Sequence, residues 1–156
     1  MKPRILLTIS MLFASSFTGP AHASESDDAE AIRRTNNFYA EMLVAGDLDA
    51  LMTLYDENAV LFPPNESPLK GKVAIRASWE AFFADWDTIE ARSVIDEIMV
   101  FGDWAYGHGH YRGRSRSTAD ERVVFEALKY SGMWRRKSDG SWVIARDMFN
   151  MDTAPE

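Results

Sequence analysis

The stretch YSGMWRRKSDGSWVIARDMFN, residues 130–150, reads as a β-hairpin. Asp139-Gly140 is a two-residue turn signal, and aromatic or apolar side chains alternate with polar ones on either side of it. With the turn there, Trp134 faces Ala145, Gly132 faces Asp147 and Tyr130 faces Phe149. Side chains alternate with a period of two along a strand. One surface of the hairpin therefore collects Glu126, Leu128, Tyr130, Gly132 and Trp134 with Val143, Ala145, Asp147 and Phe149.

Upstream, the chain reads as more of the same meander. Residues 122–136 form a long strand after a polar loop at 117–121, and residues 104–116 form the strand before it. Gly102-Asp103 supplies another two-residue turn, reached from a strand over 94–101. Here Trp104 faces Phe101, Tyr106 faces Met99, His108 faces Glu97 and His110 faces Ile95. The other side of this strand carries Ala105, Gly107, Gly109 and Tyr111. Small residues there would let another backbone, such as a partner subunit's, come close.

The N-terminal half has helical periodicity instead. A first helix is expected over 28–45, opened by Asp27 with Glu30 three residues on. Ile32, Tyr39, Met42 and Leu43 lie on one stripe, and Gly46 is a C-terminal cap. Asp47 caps a second helix, with Leu48, Leu51, Met52 and Tyr55 on its buried face and Asn58 at its end. Val60-Leu61-Phe62 is a short strand. Pro63, Pro64 and Pro68 enforce an extended loop, and Gly71 starts a third helix carrying Ile75, Trp79, Phe82 and Phe83 inward. Helices segregated from strands make an α+β fold, with three N-terminal helices packed on an antiparallel sheet. An aromatic sheet face with sparse ionisable groups, closed by amphipathic helices, describes a ligand pocket.

The first residues read as a secretory signal. Lys2 and Arg4 precede an apolar run from Ile5 to Phe17, Gly19-Pro20 breaks it, and Ala21-His22-Ala23 gives a small-x-small cleavage pattern. Cleavage after Ala23 leaves one domain, residues 24–156, exported to the periplasm or medium. The apolar run is too short for a permanent membrane span. With no cysteine in the chain, a disulfide framework, a thiol nucleophile and thiolate metal sites are excluded. The whole chain carries a net charge of −7, and loss of the two signal cations makes it more acidic. That argues against nucleic acid as a partner, because phosphate neutralisation supplies most of such affinity. Arg112, Arg114 and Arg116 share one side of a strand and read as a solvated strand end.

Four stretches together resemble one known family: AIRRTNNFYAEMLVAGDLDALMTLYDENAVLFPP (31–64), LKGKVAIRASWEAFF (69–83), GDWAYGHGHYRG (102–113) and residues 130–150. The chain resembles the NTF2-like superfamily, specifically its SnoaL-like or DUF4440 group, related to ketosteroid isomerase. The resemblance implies a cone, in which a strongly curved sheet wraps three helices around a pocket, and a homodimer packed through the outer sheet face. It does not imply one reaction, since the group holds isomerases, cyclases, dehydratases and members without known activity. Of the three ketosteroid isomerase functional positions, Tyr39 fills the tyrosine. Phe62 stands where the catalytic base belongs and Gly132 near the protonated acid, so the steroid isomerase mechanism is not carried over.

The remaining chemistry gathers at a few residues. Tyr39 can donate to a ligand oxygen. Asp147, on the expected inner face, is costly to bury and is either an anchored acceptor or a carboxylate with a raised pKa. His108 opposite Glu97 has the form of a general base oriented by a carboxylate, or of a cross-strand surface pair. His108, Asp147 and Tyr39 are thus the catalytic candidates. The expected pocket holds Tyr39, Phe62, Trp79, Glu97, Tyr106, His108, His110, Glu126, Tyr130, Asp147 and Phe149. His108 and His110 could join Glu97, Glu126 or Asp147 in a two-histidine, one-carboxylate set. No third ligand is fixed by spacing, so neither metal nor other cofactor is expected. The function expected is binding of a small, partly apolar molecule. The alternative is an acid–base enzyme of isomerase, dehydratase or hydrolase type in the same pocket.

Overall fold

The computed structural model describes residues 25–152. The expected signal over 1–23 lies outside them. The elements in order are α1 (Glu25–Ala45), α2 (Leu48–Thr53), β1 (Tyr55–Phe62), β2 (Leu69–Lys70), α3 (Lys72–Asp85), β3 (Trp86–Phe101), β4 (Trp104–Ser117), β5 (Val123–Arg136) and β6 (Trp142–Met151). This is an α+β domain in which the helices pack on a curved six-stranded sheet ordered β2-β1-β6-β5-β4-β3. The β1–β6 ladder is parallel, and the other strand pairs are antiparallel. No helix among the described residues is long and apolar enough to cross a membrane.

Helix α1 buries Asp28, Ile32, Asn36, Ala40 and Leu43, a stripe at helical spacing. Two of those five are polar, and both turn out to hold structure together. Gly46 ends α1 at φ 63°, and Asp47 caps α2 by accepting from the Ala50 N–H at 2.9 Å. Helix α2 is one turn and a half, shorter than its apolar pattern suggests. The chain turns to strand at Tyr55 because the last strand offers it a ladder: the Ile144 N–H donates to the Leu54 carbonyl at 2.7 Å, and Tyr55 pairs with Ile144. Tyr55 is buried either way, but on β1 its ring extends toward β6. Asp56 beside it is buried and bound by the Arg135 guanidinium from β5.

The Gly102-Asp103 turn forms as expected, whereas the second hairpin closes through a three-residue loop over 138–140, with the Lys137 N–H donating to the Ser141 carbonyl, rather than a two-residue turn at Asp139-Gly140. Across Gly102-Asp103, Phe101 pairs with Trp104, Met99 with Tyr106 and Glu97 with His108, as the turn demands. A bulge between Ile95 and Glu97 then shifts the register, so His110 pairs with Val94 rather than Ile95. At the other hairpin Tyr130 pairs with Phe149 and Gly132 with Asp147, but a bulge after Met133 sets Trp134 opposite Ile144 rather than Ala145. Each bulge adds a local bend and twist, which is how a sheet curls around its helices.

The core lies between the concave sheet face and the helices. Ile32, Leu51, Tyr55, Leu61, Ile75, Trp134 and Ile144 are its main buried members. Its lower edge is tied by one polar cluster. The Arg136 guanidinium grips the Asp28 carboxylate with two nitrogens and stacks over the Trp142 ring at 4.4 Å. The Trp142 indole N–H donates to the same carboxylate at 3.3 Å.

Candidate functional site

Between α1, α3, β1 and the concave faces of β4 to β6 lies a cavity of about 330 Å³. Its walls are mostly apolar: Leu43 from α1, Leu61 with Pro63 and Pro64 after β1, Trp79 and Phe82 from α3, and Leu128, Trp134, Ile144 and Phe149 from the last strands. Trp79 meets Tyr39 edge-on, with ring centroids 6.0 Å apart. Glu66, Ser78, Tyr111 and Arg146 also line it, and three further polar groups interrupt the walls.

One is centred on Asp147. The Tyr55 hydroxyl donates to its Oδ2 at 2.9 Å, and Tyr39 lies beside them in the wall. Apolar surroundings push the Asp147 carboxyl up to about 6, and the Tyr55 hydrogen bond offsets only part of this. No basic side chain contributes to its titration. Burial, with the Asp147 charge adding to it, also pushes the Tyr39 and Tyr55 hydroxyls up, so both remain protonated donors. The arrangement sets one carboxylate that titrates near neutrality beside two tyrosine hydroxyls in an apolar hollow. It can accept a proton or hydrogen bond from a ligand hydroxyl, or donate one to a ligand oxygen.

The second group joins helix and sheet. The Tyr130 hydroxyl lies 3.0 Å from the Val94 carbonyl and 3.1 Å from Asn36 Oδ1, either of which can accept its proton. Ser93 Oγ lies 3.0 Å from the same Asn36 oxygen. Burial pushes Tyr130 up to about 12. This network joins α1 to β3 and β5. It needs Gly109 opposite Tyr130: a Cβ there would lie 2.0 Å from the Val94 carbonyl oxygen and 2.8 Å from the Tyr130 hydroxyl. The third group is Glu126, whose carboxylate accepts from Ser115 Oγ at 3.1 Å.

Of the residues expected in the pocket, Tyr39, Trp79, Glu126, Tyr130, Asp147 and Phe149 line the cavity. Phe62, Glu97, Tyr106, His108 and His110 do not. Phe62 alternates with Leu61, which takes the inward place, and pairs with Met148 at the sheet surface. The other four fall on the convex face because the sidedness of β4 is opposite to expectation. Its small residues Ala105, Gly107 and Gly109 face inward, where the large β5 aromatics need neighbours without side chains. A Cβ on Gly107 would already sit 3.3 Å from the Trp134 ring. The opposite side of β4 is thereby turned to solvent.

There His108 Nε2 lies 3.0 Å from Glu97 and His110 Nδ1 lies 3.0 Å from Asp96, all four side chains well exposed. The His110 partner comes from the bulge, which brings Asp96 to that face. Each imidazole thus has its own carboxylate in water, and His108 is separated by the sheet from Asp147 and Tyr39. Among the described residues no three histidine or acidic side chains gather as a metal site.

Asn36, Ser93, Tyr55 and Tyr111 also carry polar features of the site, although the sequence pattern assigns Tyr55 and Tyr111 no more than a packing place and marks neither Asn36 nor Ser93 as a site residue. Asn36 could have been found by its place, midway between Ile32 and Ala40 on the buried stripe. For Tyr55 only its place in the apolar pattern was visible, not its turn into β1.

The sequence profile of the family described as SnoaL-like domain matches residues 36–145. No curated protein matches significantly. Solved structures share the fold. A conserved protein from Planctomyces limnophilus DSM 3776 aligns with a TM-score of 0.73 at 24% identity, over 81% of this chain and 98% of its own. A ketosteroid isomerase-like protein from Erwinia carotovora atroseptica SCRI1043 aligns at 0.68 and 21%, over 83% and 95%. A protein from Streptomyces avermitilis, named for a dehydratase of the NTF2-like family, aligns at 0.69 and 19%, over 83% and 99%. At these identities the likeness is one of fold.

Proposed function

This chain belongs to the SnoaL-like domain family, and on that premise we propose that its cavity binds a small, partly apolar molecule, holding a polar end of it at Asp147, Tyr55 and Tyr39. The observation that carries the reading is the Asp147 carboxylate, held in a mostly apolar hollow by one tyrosine hydroxyl, while the nearby Arg146 guanidinium is turned to the Ala145 and Asn58 carbonyls. A buried charge so sparsely satisfied is a poor way to stabilise a fold. It is a good way to select a ligand with one hydrogen-bonding group on a hydrocarbon body.

Rod-shaped probes test this. 4-Hydroxystilbene is expected to bind about tenfold more tightly than stilbene at pH 8, because a hydrogen bond to a charged acceptor supplies that margin. The ionised carboxylate is the better acceptor, so the preference should shrink as pH falls through about 6, where Asp147 takes up its proton. Isothermal titration at pH 5 and pH 8 measures it. Equal affinity for the two probes at both pH values would remove the polar end from the site.

A second reading is favoured by the same carboxylate. A group that titrates near 6 is suited to general acid–base work, and two protonated tyrosines beside it can hold a developing oxyanion. An isomerase or dehydratase step would then use Asp147 to move the proton and Tyr39 to steady the oxygen. Dehydratase and isomerase-like names among the structural neighbours are consistent with this.

The proposal extends to assembly and place. The convex sheet face exposes Met99, Phe101 and Trp104 near the Gly102-Asp103 turn and Met148 on β6, and we assign this face to a homodimer. Trp104→Glu is expected to shift sedimentation from dimer to monomer; an unchanged dimer would move the interface elsewhere. The signal-like start points to export with cleavage after Ala23, so Edman sequencing of the processed protein is expected to begin at Ser24.

A further inference from the structure

The cavity has a second acidic end that the Asp147 reading leaves unused. Glu126 lines the same hollow from β5, half-buried, with a single hydrogen bond, from Ser115. No basic side chain contributes to its titration, and burial pushes its carboxyl up. Arg114, on the convex side, is engaged elsewhere, with Glu90 and over the Phe125 ring at 5.3 Å. Gly132, the partner of Asp147, lies six positions along β5 from Glu126. That is about 20 Å of straight strand, and less across a concave face. Leu128 and Tyr130 occupy the inward positions between.

A second residue is aimed at this end. Tyr111 lines the cavity, and its ring lies along β4 over Gly113, where a Cβ would come within 2.4 Å of the hydroxyl. Gly113 pairs with Glu126. The missing side chain therefore delivers the Tyr111 hydroxyl to the neighbourhood of the Glu126 carboxylate, whose charge it feels.

Resting on the binding reading above, we propose that the natural ligand is elongated and polar at both ends, and that Glu126 with Tyr111 recognises a hydroxyl or amino donor at the end remote from Asp147. A carboxylate with one hydroxyl partner and no cation, in a mostly apolar wall, gains most from a ligand that brings it a further donor, and a site built this way rejects a ligand lacking one. Glu126 is then a specificity-determining residue.

The experiment compares 4-hydroxystilbene with 4,4′-dihydroxystilbene by isothermal titration against the wild-type protein, Glu126→Ala and Glu126→Gln. The dihydroxy probe is expected to bind the wild type about tenfold more tightly than the monohydroxy probe. Glu126→Ala should remove that preference and Glu126→Gln should reduce it. If the wild type binds both probes equally, or if Glu126→Ala keeps the preference, the second recognition end is overturned while the binding reading stands. If neither probe binds the wild type, both fall. Should Glu126→Ala fail to fold with Ser115 unpaired, Glu126→Gln, which keeps an acceptor for it, decides together with the wild-type comparison.

Discussion

Asp147→Asn is expected to make the protein more stable at pH 8 and to leave its stability nearly unchanged at pH 4. Burial lifts the Asp147 carboxyl from 3.8 to about 6 in the folded chain. Between those values the folded state holds a proton that the unfolded state has released, so stability falls as pH rises through that window and stays low above it. A shift of this size corresponds to on the order of 2–3 kcal/mol. Asparagine mimics the protonated acid, keeps an acceptor for Tyr55 and carries no charge to desolvate. Denaturant titration at the two pH values measures the difference. The same substitution should abolish the preference for 4-hydroxystilbene over stilbene. If the site performs acid–base chemistry, turnover should drop by about 100-fold or more. A protein equally destabilised at both pH values would make the carboxylate a structural acceptor and nothing else. The gain in stability on losing the functional group is the expected signature of a site that trades one for the other.

Asp28→Ala is expected to be the most damaging single change away from the cavity, at a cost of about 3–5 kcal/mol. It leaves the Arg136 guanidinium, only 13% exposed, without the carboxylate that holds two of its nitrogens, and strips the Trp142 indole of its acceptor. The cluster ties the first turn of α1 to the ends of β5 and β6, so its loss should free the helix from the sheet. Urea denaturation followed by circular dichroism measures the loss. A loss below 1 kcal/mol would show that Asp103, the other carboxylate beside Arg136, is sufficient.

The local signals in the chain were strong where the chemistry is local. Gly46, Asp47 and the two glycine-containing turns mark ends that backbone geometry alone decides, and the pairs nearest Gly102-Asp103 follow from the turn. Two steps away, bulges take over. They arise from packing a curved sheet on helices, and nothing in the alternation around Ile95 or Met133 announces them. Asp147, Tyr130 and Phe149 share one face, as the alternation predicts, because all three lie on the turn-distal side of the Met133 bulge and keep a common register. His108 shares a face with Tyr106 and Trp104 as expected, but which face is inward is a tertiary fact. It is settled by the fit of Trp134 and Tyr130 against glycines on the neighbouring strand, and aromatic content alone points the wrong way. Tyr55 was hidden for a related reason: its conformation is imposed by a strand some ninety residues later.

That late strand has a consequence for how the protein is made. Until β6 is available, β1 with β2 and the β3–β4–β5 meander are separate fragments with no shared ladder, because β6 sits between them. A nascent chain halted before residue 142 would have neither the floor of the hollow nor a bridge across it. Premature termination near the C-terminus should therefore yield an aggregation-prone pair of open sheet edges rather than a slightly shortened protein.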